Sequence, residues 1–203
     1  ALLKEKMQAK AKSSILLSTD VEASPTQDET QDTEPEVDPR KLAEAINETC
    51  NISLPDLDAM VYLERVETKW PLRIQLPVGT RVPFYCTASG KMYLSSLERK
   101  HLENYLRATA LSPRAANTIT SAGDLVAELD RVRERGYATD NEEFMDGMIA
   151  VAVPIRDSFG RLVSALSFHA PLQRLSLDEA INNVDRLNTA ADKLSALISK
   201  SDL

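Results

Sequence analysis

The chain is poor in the residues that most often mark chemistry. Its 203 residues include two cysteines, two histidines and one tryptophan. Cys50 and Cys86 are too few for a disulfide scaffold and form no CxxC pair, so a reduced, cytoplasmic chain is the expectation. His101 and His169 have no metal-ligand spacing with each other or with a carboxylate. Neither histidine stands in a recognisable relation to Cys86, which leaves no paired nucleophile and base. A phosphate-cradling glycine loop and a GxSxG elbow are both missing. No apolar run approaches the roughly 18 residues of a membrane span. The first residues, ALLKEKMQAKAKSS, are amphipathic and lysine-rich but lack the apolar stretch of a signal peptide. An excess of basic residues is missing too: 24 Lys and Arg stand against 31 Asp and Glu, for a formal net charge of −7. That balance argues against a chain that neutralises duplex phosphates by itself.

What is present divides near residue 39. Between Asp20 and Asp38 the acids Asp20, Glu22, Asp28, Glu29, Asp32, Glu34, Glu36 and Asp38 occur without a single Lys or Arg. Such a segment buries too little apolar surface to offset its ordering entropy, so residues 1–38 read as an N-terminal segment with a disordered acidic linker. Residues 39–203 read as one domain. Apolar residues make up 43% of the chain, enough for a core.

Periodicity outlines that domain. Leu42, Ala45 and Ile46 suggest a short helix over 40–48. Residues 58–67 and 72–76 alternate as strands do. Helices fit 89–96 and 98–108. A clearer helix covers 121–135, with Ser121 as N-cap, a stripe of Leu125, Leu129 and Val132, and Gly136 at the stop. Residues 147–156 and 161–169 form two strand-like runs joined by Asp157-Ser158-Phe159-Gly160, a hairpin signal. Ser176-Leu177-Asp178-Glu179 is a capping box that opens a long helix striped by Ile181, Val184, Leu187, Ala191, Leu194 and Ile198. Such a stripe covers a sheet or meets a partner helix, and the neighbouring strands favour the sheet. All six glycines lie between Gly79 and Gly160, which concentrates the special turns in mid-chain. Strands and helices mix without a βαβ alternation, so the fold class is α+β with an antiparallel sheet.

Three places could bind something. In the hairpin, Ile149, Val151, Val153 and Ile155 share one face and read as core. The opposite face carries Met148, Ala150, Ala152 and Pro154. The second strand divides into Leu162, Ser164, Leu166 and Phe168 on one side and Val163, Ala165, Ser167 and His169 on the other. A face of small and polar residues leaves room for a ligand or takes a closely packed helix. At Pro83–Lys91 a strand-like stretch runs into small residues and a helix start. Its free amides suit an anion, or Thr87 or Ser89 simply caps the helix. Asp140, just past a helix stop, accepts from a ligand hydroxyl or forms a turn. Glu142 and Glu143 are adjacent and make a poor acid–base dyad. Trp70, beside Pro71, reads as packing rather than stacking.

These segments also resemble a known family. Val78-Gly79-Thr80-Arg81-Val82-Pro83 followed by Thr87-Ala88-Ser89-Gly90-Lys91 is similar to the VGxxxP…ASGK signature of the IclR effector-binding domain. Arg133 to Glu143 resembles that family's RxxGYAxDxEE segment, Gly147 to Ile155 its IAxP strand, and Val61 to Glu67 an upstream strand. The resemblance runs in order from about residue 40 to 200. It implies a GAF-like curved antiparallel sheet flanked by helices. It further implies a non-enzymatic sensor of small organic or aromatic acids that needs no cofactor or metal and forms dimers or tetramers. The sensor would act on operator DNA through a winged helix-turn-helix. A module of roughly 60 or more residues does not fit into residues 1–38, so a fragment or an atypical chain is expected. The resemblance places carboxylate-binding amides at Ala88 and Ser89, a polar contact at Asp140, and ligand-facing positions at Met148, Ala150, Ser167 and His169.

This chain departs from some well-known members, which carry cysteine at the position of Ala150 and serine at that of His169. An imidazole paired with a carboxylate can be a cation at neutral pH, which suggests an anionic ligand. An enzyme or metal protein on the same scaffold is the alternative, since one fold hosts many functions.

Overall fold

The computed structural model describes residues 39–200. The lysine-rich start and the acidic linker assigned to residues 1–38 lie outside the described residues. The elements are α1 (Pro39–Ile46), β1 (Thr49–Asp56), β2 (Ala59–Val66), β3 (Arg81–Pro83), α2 (Ala88–Ser96), α3 (Arg99–Ala108), α4 (Ala122–Arg135), β4 (Ala138–Asn141), β5 (Met148–Arg156), β6 (Leu162–Pro171), α5 (Leu177–Ile181) and α6 (Val184–Lys200). The six strands form one sheet in the order β3-β2-β1-β6-β5-β4, with every neighbouring pair antiparallel. The α+β class holds.

The hairpin is the sheet's best-specified part. Asp157 Oδ1 accepts from the backbone N–H groups of Phe159 and Arg161, and Gly160 takes φ +76°, a left-handed value that glycine adopts without strain. The tight turn sets the register in which Val151 faces Phe168 and Val153 faces Leu166. These side chains form the outer core with Cys50, Ile52 and Ile149. Ala43 and Ile46 of α1, Ala180 of α5, and Leu187 and Ala191 of α6 cover it. Sheet covering is therefore what the C-terminal stripe does. The opposite, concave face is closed by α2 and α4. Ser121 caps α4 by accepting from Asp124 N, Gly136 ends it at φ +79°, and Leu125, Leu129 and Val132 are fully buried.

Several sequence expectations are corrected. Residues 72–76 form no strand. Only Ile74 is buried there, and its carbonyl accepts from Arg65 rather than from a strand partner. The helix after the capping box breaks into two, because Asn183 Nδ2 bonds the Glu179 carbonyl and competes with the helix's own ladder. The break shifts the stripe, so that Ala180 rather than Ile181 enters the core. A register irregularity between Ile155 and Arg156 exchanges two faces. Leu162 packs with Met92 and Val132, whereas Val163 joins the outer core. Trp70 is 42% exposed and lies under the Arg174 guanidinium, 5.3 Å from the ring centroid, so it stacks. Strands β1, β3 and β4 were not expected.

Candidate effector-binding site

The register brings residues scattered over some 120 positions into rows across the concave face. Asp140 of β4, Ala150 of β5 and His169 of β6 are successive partners in one row. The next row holds Ala138, Ala152, Ser167 and Asn51. Beyond it, Ser53 of β1 stands between Ala165 and Tyr62. Tyr62 reaches this face through a bulge. Between Ile52 and Ser53 the pairing skips Leu63, which leaves Glu64 opposite Ile52 and Tyr62 opposite Ser53.

Helix α2 lies over these rows, and the alanines explain how closely. Ala88 and Met92 pack against Ala138, Ala150 and Ala152. The entry to the helix is fixed by Gly90, where a methyl group would overlap the Phe84 backbone. Thr87, not Ser89, is the N-cap. Its Oγ1 accepts from Gly90 N, and its carbonyl accepts from Lys91 N. The cap leaves the Ala88 and Ser89 amides, the first two of the helix, outside the helical bonding. They sit at the positive end of the α2 dipole, in a place where both residues are buried.

The concave face is polar at both ends. At the β4 end, Asp140 Oδ1 accepts from the backbone N–H groups of Glu143 and Phe144, at 2.9 and 3.3 Å. The aspartate thus forms a turn and belongs to the buried face at once. Burial, reinforced by the Glu143 charge, pushes its carboxyl up to about 7, against the pull of the two amides and Lys91. Lys91 is 1% exposed and donates to Glu143 Oε1 at 2.5 Å, while Glu143 Oε2 is buried without a partner. At the β1–β6 end, Asn51 Nδ2 lies 2.8 Å from His169 Nδ1, and Tyr62 Oη lies 3.4 Å from Nε2. Arg65 Nη1 donates to Asn51 Oδ1, which orients the amide and makes Asn51 Nδ2 the donor to Nδ1. Nδ1 is therefore the acceptor, and Nε2 carries the ring hydrogen.

This chain of bonds corrects the charge expected on His169. Burial, with the Arg65 charge adding to it, lowers the imidazole to about 3, so it is neutral at physiological pH. The cation at this end is the Arg65 guanidinium, whose side chain is 4% exposed and pairs with Glu67 Oε1 at 3.1 Å.

The expected site residues Asp140, Ala150, Ser167 and His169 thus share one face, with Ala88 and Ser89 above it. Met148 lies at the rim, opposite Pro171, and is only half-buried. Sequence reasoning missed Asn51, Ser53, Tyr62, Arg65, Lys91 and Glu143. The signal for β1 was available: Cys50, Ile52 and Leu54 alternate with Asn51, Ser53 and Pro55. Cys86 is fully buried, with its thiol pushed up to about 12 by burial first, and no hydrogen bond joins it to either histidine among the described residues. A nucleophilic role finds no support. A separate cleft of about 470 Å³ lies at the other end of α2. Its arginines are already engaged: Arg133 with Ser95 and Asp130, Arg156 with Gly160, and Arg161 with Asp157.

Known proteins share this fold. Residues 33–196 match the model of the bacterial transcriptional regulator IclR C-terminal domain. The chain belongs to the IclR family. It is 41% identical over 155 residues to a probable transcriptional regulator, SauR, of Cupriavidus necator, covering 76% of this chain and 62% of that protein. This IclR domain therefore spans less than two thirds of the relative it matches. Among solved structures, the IclR of Thermotoga maritima is 33% identical with a TM-score of 0.74, covering 78% of this chain and 64% of that one. The inducer-binding domain of PobR from Acinetobacter, solved as a double mutant with 3-hydroxybenzoic acid, is 27% identical with a TM-score of 0.72, covering 78% and 94%. The family is one of transcriptional regulators, not of enzymes.

Proposed function

We propose that this IclR domain is a sensor that binds a small organic or aromatic acid under α2 and passes its occupancy to an operator-binding module. The acid's carboxylate meets the Ala88 and Ser89 amides. Asp140, Met148, Ala150, Ser167 and His169 form the surrounding wall. The observation that carries this reading is the pair of uncapped, buried amides above a polar concave face. PobR's inducer-binding domain, of similar fold, holds 3-hydroxybenzoic acid, which adds support.

The domain works by population shift. A ligand that prefers one arrangement of the pocket, or of a dimer or tetramer of these domains, biases the partner module by the difference in its affinity for the two states. Thermal denaturation with a panel of short aliphatic and aromatic carboxylates tests this. An acid at 100 times its dissociation constant stabilises the fold by roughly 2.7 kcal/mol. No shift with any acid would reduce the domain to an assembly module.

A further inference from the structure

Two hairpin tips project from the same end of the sheet. Asp56 pairs with Ala59, which leaves Leu57 and Asp58 as a two-residue turn between β1 and β2. The turn Asp157-Ser158-Phe159-Gly160 joins β5 to β6. Strands β1 and β6 are antiparallel neighbours with Ser53 opposite Ala165. Going forward along β1 to Leu57 and backward along β6 to Leu162 therefore leads to one edge. Neighbouring strands stand about 4.8 Å apart, which puts the two tips roughly 10 Å from each other.

Leu57 is an unfavourable residue for its place on two counts. Its φ is +57°, a value at which Cβ crowds the backbone and glycine or asparagine is the usual occupant. The other tip follows that rule, with Gly160 at φ +76°. Leu57 is also 92% exposed, and Phe159 on the other tip is 77% exposed, the two highest values among the large apolar residues described. One exposed apolar side chain calls for no explanation. A leucine that is both strained and exposed gains nothing inside its own chain, and such strain concentrates where a protein meets something else.

Beside the Phe159 tip opens the cleft of about 470 Å³. Its floor is apolar, from Met92 of α2, Val132 of α4 and Leu162 of β6, and its rim carries Arg156 and Arg161. Arg161 is held by Asp157 at 2.7 Å and covers the Phe159 ring. The Arg156 guanidinium donates to the Gly160 carbonyl at 2.9 Å and has no carboxylate partner among the described residues. The Leu57 tip carries the opposite charge. Leu57 stands between Asp56 and Asp58, which share Arg81, and the Asp58 side chain is 86% exposed. The tip is thus an apolar knob flanked by acids, and the cleft is an apolar hole rimmed by arginine. The sheet holds the two side by side, so the knob cannot enter its own cleft. A two-fold axis between them lets the knob of each molecule enter the cleft of another.

We propose that two copies of this chain meet end to end through these tips, with Leu57 seated in the cleft of the partner subunit and Asp58 facing the partner's Arg156. The contact goes beyond the sensor reading and does not rest on it, because Leu57, Asp58, Arg156 and Phe159 lie outside the wall assigned to the effector.

Sedimentation equilibrium of the full chain at rising concentration tests this. The parent should associate reversibly. Leu57→Asn keeps a residue that accepts a positive φ and removes the knob, so association should weaken at least about ten-fold. At concentrations where the chain is dissociated, the same variant should melt at or above the parent temperature, because the strain is relieved. Asp58→Lys and Arg156→Glu should each weaken association about ten-fold, and an equal mixture of the two should regain the parent's strength. Recovery in the mixture requires that position 58 of one copy faces position 156 of the other. A parent chain that never associates would overturn the proposal. So would a Leu57→Asn variant that associates as the parent does, or one that melts well below it. Charge variants that assemble normally alone, or that stay apart when mixed, would overturn it as well and leave the tips to a partner other than a second copy.

Discussion

The two faces of one sheet are built from opposite materials. On the outer face Ile149, Val151, Val153, Ile155, Leu166 and Phe168 meet apolar side chains of α1, α5 and α6. On the concave face the same strands turn Ala150, Ala152, Ser167 and His169 towards α2, and β1 adds Asn51 and Ser53. Both faces are sealed from water. The outer face is sealed by matching apolar surface, each large side chain contributing about 1.5–3 kcal/mol of burial. The concave face encloses a buried lysine, two buried acids, a neutral histidine and two unpartnered hydroxyls. A protein selected only for stability would not retain such a face, because each element costs desolvation free energy. The contrast teaches that the outer face holds the sheet in shape so that the concave face can afford to be specific.

Substitutions sharpen this contrast. The largest loss is expected on the outer face. Phe168→Ala should destabilise by about 3–5 kcal/mol through the lost burial and the cavity left behind. Chemical denaturation measures it, and a cost below 1 kcal/mol would mean that this face is not the foundation. Next comes Lys91→Met, which strips Glu143 of its ammonium partner. A buried pair broken on one side costs about 3 kcal/mol. Pairing it with Glu143→Leu should recover most of that, because Glu128, 3.9 Å from Lys91, keeps Arg131 and Arg135 as partners; failure to recover would show that the contact with Glu128 outweighs the pair with Glu143. Ser164→Ala and Ser167→Ala form a matched pair on β6. The first removes a satisfied bond and should cost about 1 kcal/mol; the second should cost close to nothing. Equal costs would erase the distinction between the faces.

The smallest effect is a change of slope. In the folded protein Asp140 titrates near 7 rather than near its ordinary 3.8. Between those values the folded state holds a proton that the unfolded chain has released. Asp140 therefore lowers stability progressively as the pH rises from about 4 to about 7, with no further change above. Asp140→Asn keeps an acceptor for the Glu143 and Phe144 amides. The stability difference between variant and parent should grow over that range. Binding follows the same sign: an ionised Asp140 repels a carboxylate on α2, so the affinity for an acid should fall from pH 6 to pH 8 in the parent and stay flat in the variant. Parallel pH profiles would remove Asp140 from the wall of the site.

Much of this molecule was legible before its structure. The β5–β6 hairpin was readable because turn chemistry and β-branched alternation agree, and α4 because cap, stripe and stop agree. Four of the expected site residues do share a face. Other features were not legible, for identifiable reasons. Residues 72–76 alternate as a strand does, but alternation does not supply a strand partner. Asn182 and Asn183 look acceptable in a helix until the Asn183 side chain takes a carbonyl. The protonation of His169 was misjudged because burial and Arg65, neither of them local, decide it.

The sequence by itself determined the β5–β6 hairpin and its apolar face, the caps of α4 and α5, and the family, since each is written in contiguous residues or in motifs of fixed order. Only the tertiary structure decided what the concave face is. Register and one bulge carry Asn51, Ser53, Tyr62 and Arg65 to Ser167 and His169, more than 100 positions away. The physical reason is that charge state and hydrogen-bond satisfaction depend on neighbours in space: alternation puts Ser164 and Ser167 on opposite faces of β6, but only the fold shows which of them has a partner.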